Sequence, residues 1–290
     1  MATTFCDHAC CRNTVCCGKD HVHHGEAIRA IKSVRAQALG INRKNLYRTS
    51  RLEAKDVILR DEIIKAHKQH PSYGHRRLGW HLKVNPKRIR RIMKKYGLRP
   101  PRRRGRPQFS TRSVEHRKYP NLLKGLAITR ENQAWCSDTS YFRFRGNKWY
   151  IVTIIDVFTR KVIDAALGRH HNSGLVSKTI RTAIMKIHTA PFLFHSDQGT
   201  EFMAEACTTP LEALGTRISA TDKASPWQNG YQESFFGRFK EEMGDINRFE
   251  TPAELVEAIY HYIHYYNAER IHTTLKMPPS VYAEQFLKKS

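Results

Sequence analysis

Residues 99–107 read RPPRRRGRP. Proline has no backbone N–H to donate and fixes its own φ, so this run can form neither a helix interior nor a central strand. It divides the chain, and the hydrophobic pattern differs on its two sides.

Upstream the period is helical. Residues 26–39 (EAIRAIKSVRAQAL) repeat at helical spacing until Gly40, and INRKNLYR restarts a short helix. A longer one is predicted from about Arg51 to Gln69, with Ile58, Leu59, Ile63 and Ile64 as its buried stripe. After His70-Pro71, Ser72 is placed to cap a helix through YGHRRLGWHLK. Asn85 then caps another, with Pro86 at its first position and Gly97 past its end. Two short helices around a tight turn predict a helix-turn-helix. The second carries Lys87, Arg88, Arg90, Arg91, Lys94 and Lys95, leaving Ile89, Ile92, Met93 and Tyr96 for its inner face.

Downstream of about Leu126 the period becomes that of strands. AWCSDTSYFRF, a Gly146-Asn147 turn, KWYIVTIIDVF and KVIDAAL predict a three-stranded meander. A helix over about 173–188, the strand PFLFHSD, a helix over about 200–214, the strand TRISA, a loop at 221–226 and a last helix follow. That order predicts an α/β fold, a mixed sheet with two parallel crossovers and flanking helices, whose ligand sites lie at the carboxyl ends of strands. The expected domains are a head at 1–25, a helical DNA-binding region at 26–98, a basic linker at 99–125 and the α/β core at 126–290.

Charge narrows the function. With 50 Lys and Arg against 26 Asp and Glu, the chain carries a formal +24. The bases concentrate between Lys83 and Arg117, which points to a polyanion, nucleic acid first. Six bases and no acid within one short helix would repel one another without such a partner. Most of those contacts are expected at phosphates, which position a protein without reading sequence. Arg102, Arg103, Arg104 and Arg106 of the linker either follow the DNA backbone or enter an A·T-rich minor groove. No run approaches the ~18 apolar residues of a membrane span, and MATTFCDHACC lacks a signal-peptide core, so a cytoplasmic, nucleoid-associated protein is expected.

Five of the seven cysteines, Cys6, Cys10, Cys11, Cys16 and Cys17, lie ahead of His21, His23 and His24. The paired spacing of a zinc finger is absent. The head reads as a disordered segment or as a zinc clip.

Three acids sit where the fold wants ligands: Asp138 on the first strand, Asp197 at the end of the fourth, and Glu233 on the following helix, with 58 and 35 residues between them. At 100° per residue, Tyr231, Phe235, Phe239, Met243 and Phe236 span an apolar arc of about 140°, and Asn229, Lys240 and Glu233 form a polar stripe about 40° wide at its border. Glu233 is either a site residue or an ordinary surface acid on this geometry alone. Few carboxylates around Mg²⁺, with phosphate oxygens completing each octahedron, is the arrangement phosphodiester chemistry needs.

The set Trp135-x-x-Asp138, HSDQGTEF (195–202), SPWQNGYQESFFGRFKEE (225–242) and YNAERIHTTL (266–275) strongly resembles the DDE transposases of bacterial insertion sequences. It is most similar to the second-frame (OrfB) product of the IS-three family, whose core resembles retroviral integrases. YGHRRLGWHL and RIRRIMKKYGLRP match that family's second helix-turn-helix region, so the resemblance covers about residues 28–285.

The resemblance implies an RNase H-like core in which Asp138, Asp197 and Glu233 are catalytic and bind two Mg²⁺ or Mn²⁺ ions. Lys240 and Asn229 would contact the transposon-end DNA. It also implies hydrolysis at the element's end, attack of the freed 3′-OH on another phosphodiester, and a circular intermediate. Double-stranded DNA, as terminal inverted repeats and target, is the implied partner, bound by a multimer, with a first-frame (OrfA) protein as a partner or fusion. Two alternatives stand beside this: a non-enzymatic DNA-binding regulator, and an RNase H-like nuclease that cuts without joining.

The family's acidic triplet before the Glu is here Gln228, Asn229 and Gly230, and the Cys/His head has no counterpart. Asp156 is a turn cap or an accessory ligand, and His195 a substrate-side or a packed residue. Trp227 and Tyr231 stack on a base or pack internally. Asp164 and Asp222 read as a strand-surface and a loop acid.

Overall fold

The computed structural model describes residues 34–40, 42, 44, 51–101, 119–222 and 229–287. The expectations for the Cys/His head, the start of the first helix, linker residues Arg102, Arg103, Arg104 and Arg106, and Trp227 lie outside them. The chain divides into two units, Met1–Ile58 and Leu59–Ser290.

In the first unit, a helical turn over residues 34–38 ends where Gly40 takes φ +61°, as its composition predicts. Helix α1 (Arg51–Gln69), of which Leu59–Gln69 belong to the second unit, has the expected bounds. Its buried stripe differs: Leu59, Ile63 and Ala66 are inside, whereas Ile58 and Ile64 are exposed. Spacing i, i+4, i+7 holds one line along a helix, and the two isoleucines, each next in sequence to a stripe residue, point 100° away from it.

Helices α2 (His75–His81) and α3 (Pro86–Lys95) form the helix-turn-helix. Asn85 Oδ1 accepts from Lys87 N at 2.9 Å, as a cap should. Ser72 caps nothing: the N-cap of α2 is Gly74, and Ser72 Oγ instead donates to Glu242 at 2.6 Å. Ile89, Ile92 and Met93 are packed with Leu59, Ile63, Tyr73, Leu78 and Ile271.

The sheet runs β3-β2-β1-β4-β5, built from β1 (Ala134–Phe144), β2 (Asn147–Asp156), β3 (Val162–Gly168), β4 (Leu193–Ser196) and β5 (Arg217–Ala220). The first three pair antiparallel, and β4 joins β1 and β5 in parallel. The hairpin turns one residue earlier than expected, at Arg145-Gly146, with φ of 47° and 77°. Two positive φ values make the turn whose twist matches the flanking strands, and glycine at its second position lowers the cost.

Helices α4 (Ser173–Ile187) and α5 (Glu205–Ala213) cover one face, packing on Trp135, Val152 and Ile154. Helix α5 begins later than Thr200: residues 200–204 lie in turns and bends, with Phe202 N and Met203 N donating to Gly199 O. Helices α6 (Gly230–Met243) and α7 (Pro252–Ala268) cover the other face, with Phe235, Phe236, Phe239 and Met243 set against Phe144, Ile151 and Ile155. A short α8 (Pro279–Leu287) follows. Asp164 corrects the sequence reading: it is buried, and Lys186 Nζ lies 2.5 Å from its Oδ1.

Candidate active site

Register brings the first two acids together. In the parallel β1–β4 pair, Cys136 is aligned with His195. Asp138 and Asp197 each lie two residues further on, so alternation sends both side chains to the face that α6 covers. Strand β4 stops at Ser196, and the turn after it gives Asp197 Oδ1 a hydrogen bond from Gly199 N at 3.0 Å. Asp138 Oδ1 accepts from Thr139 N at 2.8 Å and sits opposite Thr153 of β2.

A residue unnoticed in the sequence holds the third acid. Gln232 is fully buried; its Nε2 donates to Cys136 O at 2.6 Å and Thr153 O at 3.1 Å, and its Oε1 accepts from Thr153 Oγ1 at 2.8 Å. Asn229, one turn earlier, donates from Nδ2 to Ser137 O at 3.3 Å and is 5 % exposed, which leaves little of it for the DNA contact expected of it. The Cys136 and Ser137 carbonyls immediately precede Asp138 and Thr153 lies opposite it, so α6 is pinned in rotation with Glu233 on the acids' side. The signal was present: Gln232 falls inside the apolar arc, where an amide must find partners.

The acids feel one another. Burial first, then the charges of Asp197, Glu233 and Glu201, push the Asp138 carboxyl up to about 8, against the hydrogen bond from Thr139. Burial and then Glu201 also raise Asp197, opposed by Gly199 N and His171. Lys240 reaches into this field: burial lowers its pKa while Asp138 pulls the other way, and its Nζ lies 6.0 Å from the Tyr141 ring centre.

Glu201 is the second residue that sequence reasoning passed over, though it lies within HSDQGTEF. Its carboxylate is 2.6 Å from His171 Nε2, and that imidazole stacks on Tyr150 at 5.1 Å. A Cβ on Gly199 would come within 2.7 Å of the Glu201 carboxylate, so a larger residue there would push that side chain from its present position. No spacing rule links residues 171 and 201.

All these donors are carboxylate oxygens, the type that Mg²⁺ and Mn²⁺ take, and their mutual repulsion is what a divalent cation neutralises. The set therefore fits such an ion in donor chemistry. Among the described residues, no three His, Cys, Asp or Glu side chains already stand close enough together to hold one.

The accessory candidates are elsewhere occupied. Asp156 is buried at the β2–β3 turn and accepts from Thr159 N at 2.7 Å, Thr159 Oγ1 at 2.8 Å and Asn132 N at 2.8 Å, the turn-cap alternative. His195 is fully buried beneath the acids; its Nδ1 pairs with Ser219 Oγ at 2.9 Å, its Nε2 has no partner, and burial pushes it down to about 4, so it is neutral. On α3, Lys87, Arg90, Arg91, Lys94 and Lys95 are exposed and Arg88 half-buried.

Sequence comparison bears on the same residues. A family described as integrase core domain matches residues 128–226, and a second of that description matches 214–279. An uncharacterized transposase-like protein of Haemophilus influenzae is 32 % identical over 207 residues, 71 % of this chain and 96 % of that one. The putative transposase InsK for insertion sequence element IS150 of Escherichia coli is 31 % identical over 228 residues, 76 % of this chain and 80 % of that one. This chain belongs to the IS-three family of transposases.

Within the transposase, Asp138 and Asp197 fall in the first matched region and Glu233 in the second. Among solved structures, the transposase aligns with the HTLV-2 integrase catalytic core domain in complex with magnesium at 16 % identity and a TM-score of 0.44, over 52 % of this chain and 96 % of that one. No helix among the transposase's described residues is long and apolar enough to cross a membrane.

Proposed function

We propose that this transposase is a divalent-metal-dependent DNA strand transferase, cutting at the ends of an insertion sequence and joining the freed 3′-OH to another phosphodiester. The reading rests on one observation: the β1–β4 register brings Asp138 and Asp197 to the face where Gln232 holds Glu233. Asp138, Asp197 and Glu233 would hold two Mg²⁺ or Mn²⁺ ions. When bound, such ions activate the attacking oxygen and stabilise the leaving one.

The chain's own groups do the rest. Gln232 and Asn229 keep α6 from turning, so that Glu233 stays on the side of Asp138, whose carboxyl feels its charge. Lys240, on the same helix and beside the exposed ring of Tyr141, meets a phosphate near the cut. The buried, neutral His195 holds the end of β4 through Ser219 and moves no proton at neutral pH. The bases of α3 grip the duplex along its phosphates, and pairing two element ends requires more than one copy on DNA.

The test uses the full chain, Mg²⁺ and labelled duplexes carrying an element's inverted repeats. Glu233→Gln is expected to bind these duplexes as the native chain does while cleavage and joining fall by several orders of magnitude; joining at native rate would overturn the proposal. A duplex with a pre-cleaved end separates transfer from hydrolysis: a nuclease that only cuts leaves it unjoined.

A further inference from the structure

Strand β4 pairs with β1 only as far as Cys136, so from Asp138 onward β2 is the one strand paired with β1 among the described residues. The two run on to the Arg145-Gly146 turn, and between Asp138 and Asp156 they carry Arg143, Arg145 and Lys148 and no acid. Register places two pairs on one face of this ribbon: Tyr141 opposite Tyr150 and, further along β1, Arg143 opposite Lys148. A tyrosine pair is ordinary sheet stabilisation, but like charges directly opposite work against the pairing. Both basic side chains are exposed, and among the described residues neither has an ion-pair partner.

The rings form a row that starts beside the acids. Glu201 lies 2.6 Å from His171, whose imidazole is stacked on Tyr150, and the Tyr150 ring centre is 6.5 Å from that of Tyr141, which is 44 % exposed. Lys148 Nζ lies 4.8 Å from the Tyr141 ring centre and 5.9 Å from that of Tyr150, and Lys240 Nζ of α6 approaches Tyr141 at 6.0 Å. Two cations from separate elements thus meet at one exposed ring. Tyr231, the other described aromatic with a stacking alternative, is taken up internally: it packs beside Ala134, Cys136 and Val157, with the Arg160 guanidinium 4.1 Å from its ring centre.

We propose that this face binds an unpaired stretch of the DNA strand that passes the acids, one base stacking on Tyr141 and its flanking phosphates held by Lys148, Arg143 and Lys240, an assignment that rests on the strand-transferase reading. Cationic side chains interleaved with exposed aromatic rings suit a single strand, because a base inside a duplex has no open face to offer a side chain. An exposed cation–π contact is weaker than base–aromatic stacking, so an arriving base displaces the Lys148 ammonium from the ring and leaves it to pair with a phosphate. That phosphate also offsets the repulsion between Arg143 and Lys148. Three residues of extended strand, roughly 10 Å, separate Tyr141 from Asp138, which keeps the stacked base close to the acids.

The test is fluorescence titration of the full chain in EDTA, where no strand is cut, with duplexes that end in a short thymidine tail of either polarity carrying one 2-aminopurine. Stacking on tyrosine is expected to quench the 2-aminopurine at one position of the tail. Tyr141→Leu should abolish that quench and weaken the tailed duplex about tenfold while leaving a blunt duplex unchanged, and Tyr141→Phe should keep both quench and affinity. Lys148→Ala should weaken the tailed duplex about threefold, whereas Lys94→Ala on α3 should weaken tailed and blunt duplexes alike. Thermal midpoints check each fold, and Tyr141→Thr, which keeps a strand-forming residue, replaces Tyr141→Leu if that variant does not fold. A quench that persists without the ring, or an equal loss on blunt and tailed duplexes in the Tyr141 variant, would overturn the site. Quenching in EDTA needs no chemistry, so it stands even if strand joining fails, and joining without quenching removes this site alone.

Discussion

Asp138 carries the largest electrostatic strain in the site, a carboxyl pushed up to about 8 from 3.8 by burial and then by Asp197, Glu233 and Glu201. The folded state therefore binds a proton that the unfolded chain releases, and stability of the metal-free protein falls as pH rises through that window. Thermal unfolding in EDTA should show a lower midpoint at pH 8 than at pH 5. Asp138→Asn should flatten that slope, Glu201→Gln should make it shallower without removing it, and Mg²⁺ at pH 8 should raise the native midpoint more than that of Asp138→Asn; a native slope of the opposite sign would refute the burial argument. The acids themselves were legible because their motifs are short and local. Glu201 lies within one of those motifs yet carries no signal of its own, because its reach to Asp138 and His171 depends on how the loop at 199–205 folds.

Helix α6 is held at both ends by polar groups placed in an apolar face. At its start, Gln232→Leu would strand two strand carbonyls and the Thr153 hydroxyl, a loss of about 2–3 kcal/mol in denaturant unfolding, with cleavage reduced further because Glu233 is no longer held. At its far end, Glu242 accepts from Arg270 Nε at 2.8 Å and Nη2 at 2.8 Å, from Ser72 Oγ at 2.6 Å and from Tyr262 OH at 3.0 Å. Burial alone would raise this carboxyl, and Arg270, Ser72 and Tyr262 more than reverse it, holding it below its usual range. Its contribution is thus present above the unfolded value of about 4.5 and lost as pH falls through the folded one. Glu242→Gln should cost about 3–5 kcal/mol at pH 7 in chemical denaturation, since Arg270 is left buried without its counter-charge, and progressively less as pH falls below about 4.5. Helical phase made the phenylalanine face legible. Ser72 looked like a cap because its real partner is 170 residues away.

For the whole molecule, the two titrations oppose one another: acid removes the Glu242 clamp, and base ionises the crowded Asp138. Metal-free stability should peak on the mildly acidic side of neutral. The net +24 acts over longer range, through the exposed bases of α3 and the formal charge of the linker. DNA affinity should fall steeply with salt, by about 0.9 log unit per log unit of salt for each phosphate neutralised. Lys94→Ala should weaken binding by a similar factor on any duplex and reduce that slope by about one, measured by fluorescence anisotropy across a salt series. Weakening confined to one sequence would mean that Lys94 reads bases.

By itself the sequence determined the element order, the helix-turn-helix, the charge and the three acids, because periods of 2.0 and 3.6 residues and short motifs are written in neighbouring positions. Tertiary structure alone decided that Gln232 and Asn229 together pin α6, and that Glu201 pairs with His171 while its charge reaches Asp138 and Asp197. The physical reason is range. Hydrogen bonds and the strongest Coulomb terms act within a few ångströms through space, and which residues meet at that distance is settled only when sheet, loops and helices close on one another.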